Sequence, residues 1–406
     1  QILLLYTTVN QFRMLCYKGI ETDMESIYLD HAASTPIRSE VREAMSQAQS
    51  EDIGNPSSQH FWGRKANLKL EESRQKIATA LGADRGEIYF VRGGTESNNL
   101  AIFGRVQLEL QRGITPRVIT SEIEHKAVLE ASVNSVKQNG EMTLLPVTPT
   151  GKLDLQSLQI SLQKHATIIS IMAVNNETGI CLPIQEIADI AQSYDVTMHT
   201  DAVQACGKIP INLGEIPVDL LSLSGHKICG PKGTGILFVR KGTTMAPLIF
   251  GGGQERGLRP GTPDVVGAIG ISTALELSVQ EQRSEYTRLT QLRDTLEDGL
   301  KTGISDLKVH GHGEARAPHI SNVGIPDLDN ETLLANLDME GISVSSGSAC
   351  TSGINTGSHV LESIYGDLDN TAIIRFSLGL STSVNDIHDA IKATKSVVLR
   401  MQTQLD

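Results

Sequence analysis

Ser222-Leu-Ser-Gly-His-Lys-Ile-Cys-Gly-Pro-Lys-Gly-Thr234 is the stretch on which the fold turns. The apolar run into it, Val218 to Leu223, has the length and composition of a buried strand and stops at Ser224 and Gly225. His226 and Lys227 fall in the turn beyond, and Gly235 to Arg240 reads as a second strand. A lysine between two buried strands has its ammonium partly desolvated, which favours the neutral amine that adds to an aldehyde. Taken alone, Lys227 reads first as an ordinary loop lysine. Gly225 to Gly230 also mimics the opening of a nucleotide-binding loop, but Pro231 interrupts the Gly-Lys pair and Thr234 follows a glycine.

Outward from this stretch, helix and strand patterns alternate. Gly63 to Leu81 predicts a helix and Glu87 to Arg92 a strand ending at Gly93-Gly94. Thr95 to Phe103 predicts a short helix, capped by Thr95 and stopped by Gly104. Arg117 to Thr120, Met142 to Val147, Thr167 to Val174 and Val196 to His199 predict strands, with helices at His125 to Asn139 and from Ile184. Such alternation predicts an α/β domain with a mostly parallel sheet covered on both faces. Beyond Arg259-Pro-Gly-Thr262 the texture changes. Leu289, Leu292, Leu296 and Leu300 line one face of a long charged helix, a bridge to a smaller α+β domain. That domain has strand candidates at Pro318 to Val323, Gly341 to Val344 and Ile373 to Leu378 and a closing amphipathic helix on Ile387, Ala390, Ile391 and Val398.

The chain of 406 residues carries a formal charge of −12 and no basic stripe with interleaved aromatics, which argues against a nucleic-acid partner. No stretch approaches a membrane span, so a soluble protein is expected. Five cysteines (16, 181, 206, 229 and 350), scattered and odd in number, suit a reducing cytoplasm and not a disulfide framework or structural zinc site. Gln1 to Asp23 reads as an extension, poorly ordered.

In a parallel sheet, ligands sit beyond the carboxyl ends of the strands. There the sequence sets Gly94 and Thr95 at a helix start, then His125, Asn176, Asp201 with Gln204, and Ser224, His226 and Lys227. A helix N-terminus suits a phosphate, a lysine an aldehyde, a carboxylate a protonated ring nitrogen, and His125 could stack on a flat ring. Together these are the requirements of pyridoxal phosphate. Each residue alone has a plainer reading, as a cap, a turn residue or a solvated side chain. A metal set of His199, Asp201 and His226 is the weaker alternative. A second centre is Cys350, in the small, polar stretch Ser345-Ser-Gly-Ser-Ala-Cys-Thr-Ser-Gly353, which predicts a loop presenting an exposed thiol. Arg375 lies on a strand, as a carboxylate clamp or a structural ion pair.

These stretches resemble the cysteine desulfurases, pyridoxal-phosphate enzymes of fold type I in the class V aminotransferase group. Tyr28-Leu-Asp-His-Ala-Ala33, Gly93-Gly-Thr-Glu-Ser97, Asn175-Asn-Glu-Thr-Gly179, His199-Thr-Asp-Ala-Val-Gln204, Ser224-Gly-His-Lys227, Arg259-Pro-Gly-Thr262 and Ser345 to Thr351 carry the likeness, which runs from about Met24 to the C-terminus. The resemblance implies a seven-stranded large domain over 37–263, a small domain over 264–406 with a cysteine loop at about 345–358, and 24–36 joining the small domain.

It further implies that Lys227 is the Schiff-base lysine, Asp201 the partner of the ring nitrogen, and Gln204 and Asn176 donors near the ring hydroxyl and substrate. Gly94, Thr95, Ser224 and His226 resemble phosphate contacts. Thr262 resembles a residue reaching the phosphate of the other subunit's cofactor, which implies a homodimer. His125 resembles a stacked acid/base histidine and Arg375 the substrate carboxylate clamp. Cys350 resembles the sulfur acceptor, with L-cysteine as substrate, an iron–sulfur scaffold or other acceptor protein as partner, and a transient iron–sulfur ligation by Cys350. A selenocysteine lyase or an aminotransferase on the same fold, or a non-catalytic sulfur-relay partner, are the alternatives. Cys229 departs from the family pattern, in which a bulkier residue is usual.

Overall fold

A computed structural model describes residues 26–51, 54–347, 357–368 and 370–403. The expected extension at 1–23 and Cys350 lie outside the described residues. Seven strands make the central sheet: β2 (Ile88–Val91), β3 (Arg117–Ser121), β4 (Glu141–Leu145), β5 (Ile168–Met172), β6 (Thr197–Asp201), β7 (Leu220–Ser224) and β8 (Gly235–Val239). Their order is β2-β8-β7-β6-β5-β3-β4. Every pair from β7 to β4 is parallel, and β8 alone runs against its neighbours β7 and β2. The parallel strands β3, β5 and β7 are buried along their whole length, as a sheet covered on both faces requires.

The covering helices include α1 (Ser39–Glu51), α2 (Phe61–Leu81), α3 (Gly94–Gln111), α4 (Lys126–Val136), α5 (Leu155–Ser161) and α6 (Ile184–Ser193). Most ends are chemically marked. Gly82 closes α2 at φ 68°, and Asp154 accepts from Gln156 N and Ser157 N to open α5. The expected stop at Gly104 is not observed, since α3 continues to Gln111. Gly104 serves close packing instead: a Cβ there would lie 2.9 Å from the carbonyl oxygen of Ala246. Nor is Thr95 the cap. Gly93 holds that position at φ 136°, and Thr95 is inside the first turn, exposed.

A polar seam crosses the apolar sheet. The Ser97 hydroxyl donates to Ile236 O (3.0 Å), and Ser222 Oγ donates to Ser97 Oγ (2.8 Å). Ser222 must then accept from His199 Nε2 (3.0 Å), so His199 Nδ1 accepts from Ser170 Oγ (2.7 Å). Both nitrogens of His199 are thus occupied, and burial pushes its pKa down to about 3. This histidine braces β5, β6 and β7, which leaves no ring nitrogen for the metal set considered above.

The helix α7 (Val265–Lys301) is 37 residues long. Its N-terminal part packs Ile271, Ala274 and Leu275 into the core beneath the sheet, and its C-terminal part packs Leu289, Leu292, Leu296 and Leu300 into a second core. That second core also holds β9 (Lys308–Val309), β10 (Ile320–Pro326), α8 (Asn330–Met339), β11 (Ile342–Ser343), β12 (Thr371–Ser377) and α10 (Val384–Gln402). Strands β12-β10-β9 form an antiparallel sheet, and β1 (Ile27–Tyr28) pairs with β11. Between them α9 (His359–Tyr365) packs Val360 and Ile364 into the core beneath the large sheet.

Candidate active site

Lys227 ends a single 3-10 turn, Gly225–Lys227, directly after β7. Its Nζ donates to the carbonyl oxygens of Ala32 and of Ala33, the latter at 2.9 Å. Ala32 O also accepts from Gln204 Nε2 at 2.8 Å. A segment near the start of the described chain therefore joins the turn after β7 to the segment after β6. Its neighbours dock by their own bonds: Thr35 Oγ1 donates to His226 O (2.8 Å), and Ala32 N donates to Ser377 Oγ (2.8 Å).

Asp201, the last residue of β6, is buried. Its carboxylate accepts from Asn98 Nδ2 at 2.6 Å and from Val203 N at 3.0 Å, which fixes the side chain in place. Asn98 escaped the sequence reading. Its signal was its spacing: it lies one helical turn into α3, on the face that buries Ser97 and Ala101. The start of α3 faces the end of β7. A Cβ on Gly93 would stand 3.8 Å from Ser224 Oγ, and one on Gly94 would strike Val203 Cγ2 at 2.8 Å. Only a bare backbone fits at Gly94, so the helix terminus presents uncovered N–H groups beside the Ser224 hydroxyl.

His226 sits beside this turn with Nδ1 3.3 Å from Ser34 Oγ. Burial, then repulsion from Lys227 and Lys232, lowers its pKa to about 4, so it is a neutral donor or acceptor at ordinary pH. His125 caps α4, its Nδ1 accepting from Ala127 N at 3.0 Å, which leaves Nε2 as the nitrogen able to meet a ligand. Thr262 is exposed on a loop that Arg259 ties to Glu96 of α3 at 2.8 Å.

Arg375 on β12 reaches across from the second core. It donates to Asn176 O (3.0 Å), Gly347 O (3.2 Å), Asp30 Oδ1 (2.8 Å) and Ser345 Oγ (3.3 Å), while its Nε is buried without a partner among the described residues. Asn176 Oδ1 is likewise buried and unpartnered among them. The structure thus joins Lys227, in one turn with His226, to Gln204 through Ala32 O, and sets Gly94 against Ser224 and against Val203 just after Asp201, while Arg375 donates to Asn176 O. Asp30, Glu124, Glu177 and His319, all buried or half-buried beside these groups, were not found from the sequence.

The pieces fit pyridoxal phosphate. An anion seat at a helix tip, a fixed carboxylate, a turn lysine and the unsatisfied Asn176 Oδ1 match its phosphate, ring nitrogen, aldehyde and polar edge. The aminotransferase class-V family profile matches residues 27–389. The chain belongs to the class-V aminotransferases, within the cysteine desulfurases. A cysteine desulfurase IscS of Dictyoglomus turgidum is 45% identical over 378 residues, covering 93% of this chain and 95% of the relative. The cysteine desulfurase NifS of Azotobacter vinelandii is 38% identical over 383 residues, covering 93% and 94%. Among solved structures, a NifS-like protein superposes with a TM-score of 0.86 at 34% identity, covering 92% of this chain and all of that one. SspA in complex with cysteine gives a TM-score of 0.74 at 34% identity, covering 87% and 99%. The family depends on pyridoxal phosphate, and so does this enzyme.

Proposed function

We propose that this enzyme removes sulfur from L-cysteine, giving L-alanine and a persulfide on Cys350. The observation that carries the reading is the shared anchor at Ala32 O, which gathers Lys227 and Gln204 beside a carboxylate held fixed by Asn98. The structural neighbour SspA was solved in complex with cysteine, which supports the same substrate here.

Bound pyridoxal phosphate supplies an electron sink for the pair released at the substrate α-carbon. Lys227 Nζ would hold the aldehyde until the substrate amine displaces it and, so released, would take the α-proton. Asp201 holds a proton on the ring nitrogen, and Gln204 and Asn176 orient the ring edge. Gly94, Thr95, Ser224 and His226 seat the phosphate, His125 Nε2 covers the ring face, and Arg375 binds the substrate carboxylate. Cys350 Sγ, as thiolate, attacks the substrate sulfur: one S–S bond forms, the Cβ–S bond breaks, and a proton supplied to Cβ completes alanine. A thiol of ordinary pKa, roughly 8.5, is mostly protonated at neutral pH, so His125 is the group placed to draw off its proton.

The sulfur then passes to an acceptor protein, an iron–sulfur scaffold being the first candidate, with Cys350 a transient ligand to the cluster. We assign 37–263 to the cofactor domain, 264–406 to the small domain and 24–36 to its joining segment. The enzyme works as a homodimer, with Thr262 reaching the partner's cofactor phosphate. Exposed large apolar side chains, Phe250 and Ile249 in one loop and Phe61 and Trp62 at the start of α2, support a second copy as their cover. Among the described residues no helix is long and apolar enough to cross a membrane; the cytoplasm is the proposed compartment.

The test is to supply L-cysteine and measure alanine and persulfide together in the wild type and in Cys350→Ser. The expected result is equal yields of both in the wild type and loss of persulfide in the variant. Alanine formed at an undiminished rate without Cys350, or none formed by the wild type, overturns the assignment.

A further inference from the structure

His319 has no part in the chemistry above, yet it is wholly buried against it. It lies in the turn before β10, with its carbonyl oxygen held by Leu378 N at 2.8 Å. Its Nε2 is 3.3 Å from Gln204 Oε1. Donor bookkeeping decides what that contact is. Ala32 O can only accept, so the amide nitrogen of Gln204 must face it, and the amide oxygen must face His319. An acceptor oxygen requires a donor opposite, so Nε2 carries the ring proton. Nδ1 then keeps its lone pair, and it has no partner among the described residues.

Lys208, His31, Arg375 and Lys227 all act on this ring, and burial with their repulsion holds its pKa well below the usual histidine value. A second proton is therefore disfavoured from every side, and the donor at Nε2 persists across the working pH range.

We propose that His319 is a positioning residue that locks the Gln204 side-chain amide in one of its two orientations, nitrogen toward Ala32 and Lys227. The orientation matters because an amide nitrogen carries two hydrogens. One is spent on Ala32 O; the other remains for the cofactor ring oxygen, the role assigned to Gln204 above, on which this inference rests. Without the imidazole donor, Gln204 Oε1 is a buried acceptor with nothing to accept, and Ala32 O alone is left to hold the nitrogen forward.

The experiment starts with the holoenzyme and Lys227→Ala. Loss of the visible cofactor band in Lys227→Ala secures the lysine assignment independently; retention of the band there sinks that assignment and this inference with it. The visible band is then titrated against pH in the wild type, His319→Leu, Gln204→Leu and the double variant. Both single variants should move the midpoint in the same direction, by about one pH unit, the effect of losing one hydrogen bond to a charged group. The double variant should move it no further than Gln204→Leu. A His319→Leu titration that matches the wild type, or shifts that add in the double variant, overturns the proposal. Where His319→Leu does not fold, His319→Gln, which keeps a donor, should titrate as the wild type, and His319→Met should not. Nitrogen chemical shifts of the His319 ring provide a readout without catalysis: the Nε2-protonated tautomer is expected, and the Nδ1-protonated form refutes the lock.

Discussion

Ser358 Oγ donates a 2.5 Å hydrogen bond to Glu177 Oε2, and the same oxygen lies where a Cβ on Gly347 would come within 3.0 Å of it. Gly347 and Ser358 flank the chain that carries Cys350, so one buried carboxylate stands at both of its roots. His359 adds a bond to Glu124 O at 3.0 Å, and Arg375 adds one to Gly347 O. Ser358 also caps α9, accepting from Leu361 N at 3.1 Å. Ser358→Ala should therefore cost about 2–5 kcal/mol, summing a cap and a hydrogen bond to a carboxylate. Glu177→Gln should cost clearly less, because its amide oxygen can still accept from Ser358. Urea unfolding measures both; a loss in Glu177→Gln as large as that in Ser358→Ala would show that the carboxyl's charge counts for as much as the hydrogen bond and the cap.

Arg375 is already engaged before any substrate arrives. Its bond to Asp30 Oδ1 competes with a substrate carboxylate for the same Nη2. Asp30→Asn removes the rival charge while leaving an oxygen to orient the guanidinium. The KM for cysteine should fall several-fold, on the order of the 1 kcal/mol of a partly exposed ion pair. A KM that rises would make Asp30 a support for the clamp and not its competitor.

Burial raises the pKa of Glu124 to about 8, against the pull of the Ser121 hydroxyl and Met172 N–H bonds and with help from Asp201. The unfolded chain releases this proton near pH 4.3, roughly its ordinary value, whereas the folded protein holds it until about 8. The stability it contributes is full below the unfolded value and lost as pH rises through the folded one, at about 1.4 kcal/mol per pH unit. Glu124→Gln should flatten the unfolding free energy between roughly pH 5 and 8, the window those two values bracket. An unchanged slope in the variant would assign the pH dependence elsewhere.

Arg74 and Glu255 form a buried bidentate pair at 2.7 and 2.8 Å, with Glu255 also accepting from Phe90 N at 2.9 Å. Glu255 opens the loop that leads to Arg259 and Thr262, and its backbone has φ 45°. Arg74→Met should cost about 3–5 kcal/mol by leaving that carboxylate buried and unpaired. Thermal unfolding measures it, and a loss under 1 kcal/mol, roughly a surface pair's value, would contradict the buried geometry.

Most strands of the large sheet were legible as largely apolar runs bounded by turn residues, β6 (Thr-Met-His-Thr-Asp) being the polar exception, and five of the seven strand ends supplied the candidate site residues. The partners of those residues were not. Asn98 and Asp201 are 103 positions apart, and Asp30 and Arg375 are 345 apart, so nothing local announces either pair. Gly104 misled for a related reason: its close neighbour, Ala246, comes from a distant loop, so a packing requirement looked like a helix stop.

Thirty-seven residues of α7 make a rod about 55 Å long, one wall of two separate interiors. Neither interior can come apart and leave that shared wall intact for the other. Denaturant should consequently release the whole chain in a single step, with fluorescence and far-ultraviolet dichroism tracing the same midpoint, rather than dismantle it lobe by lobe.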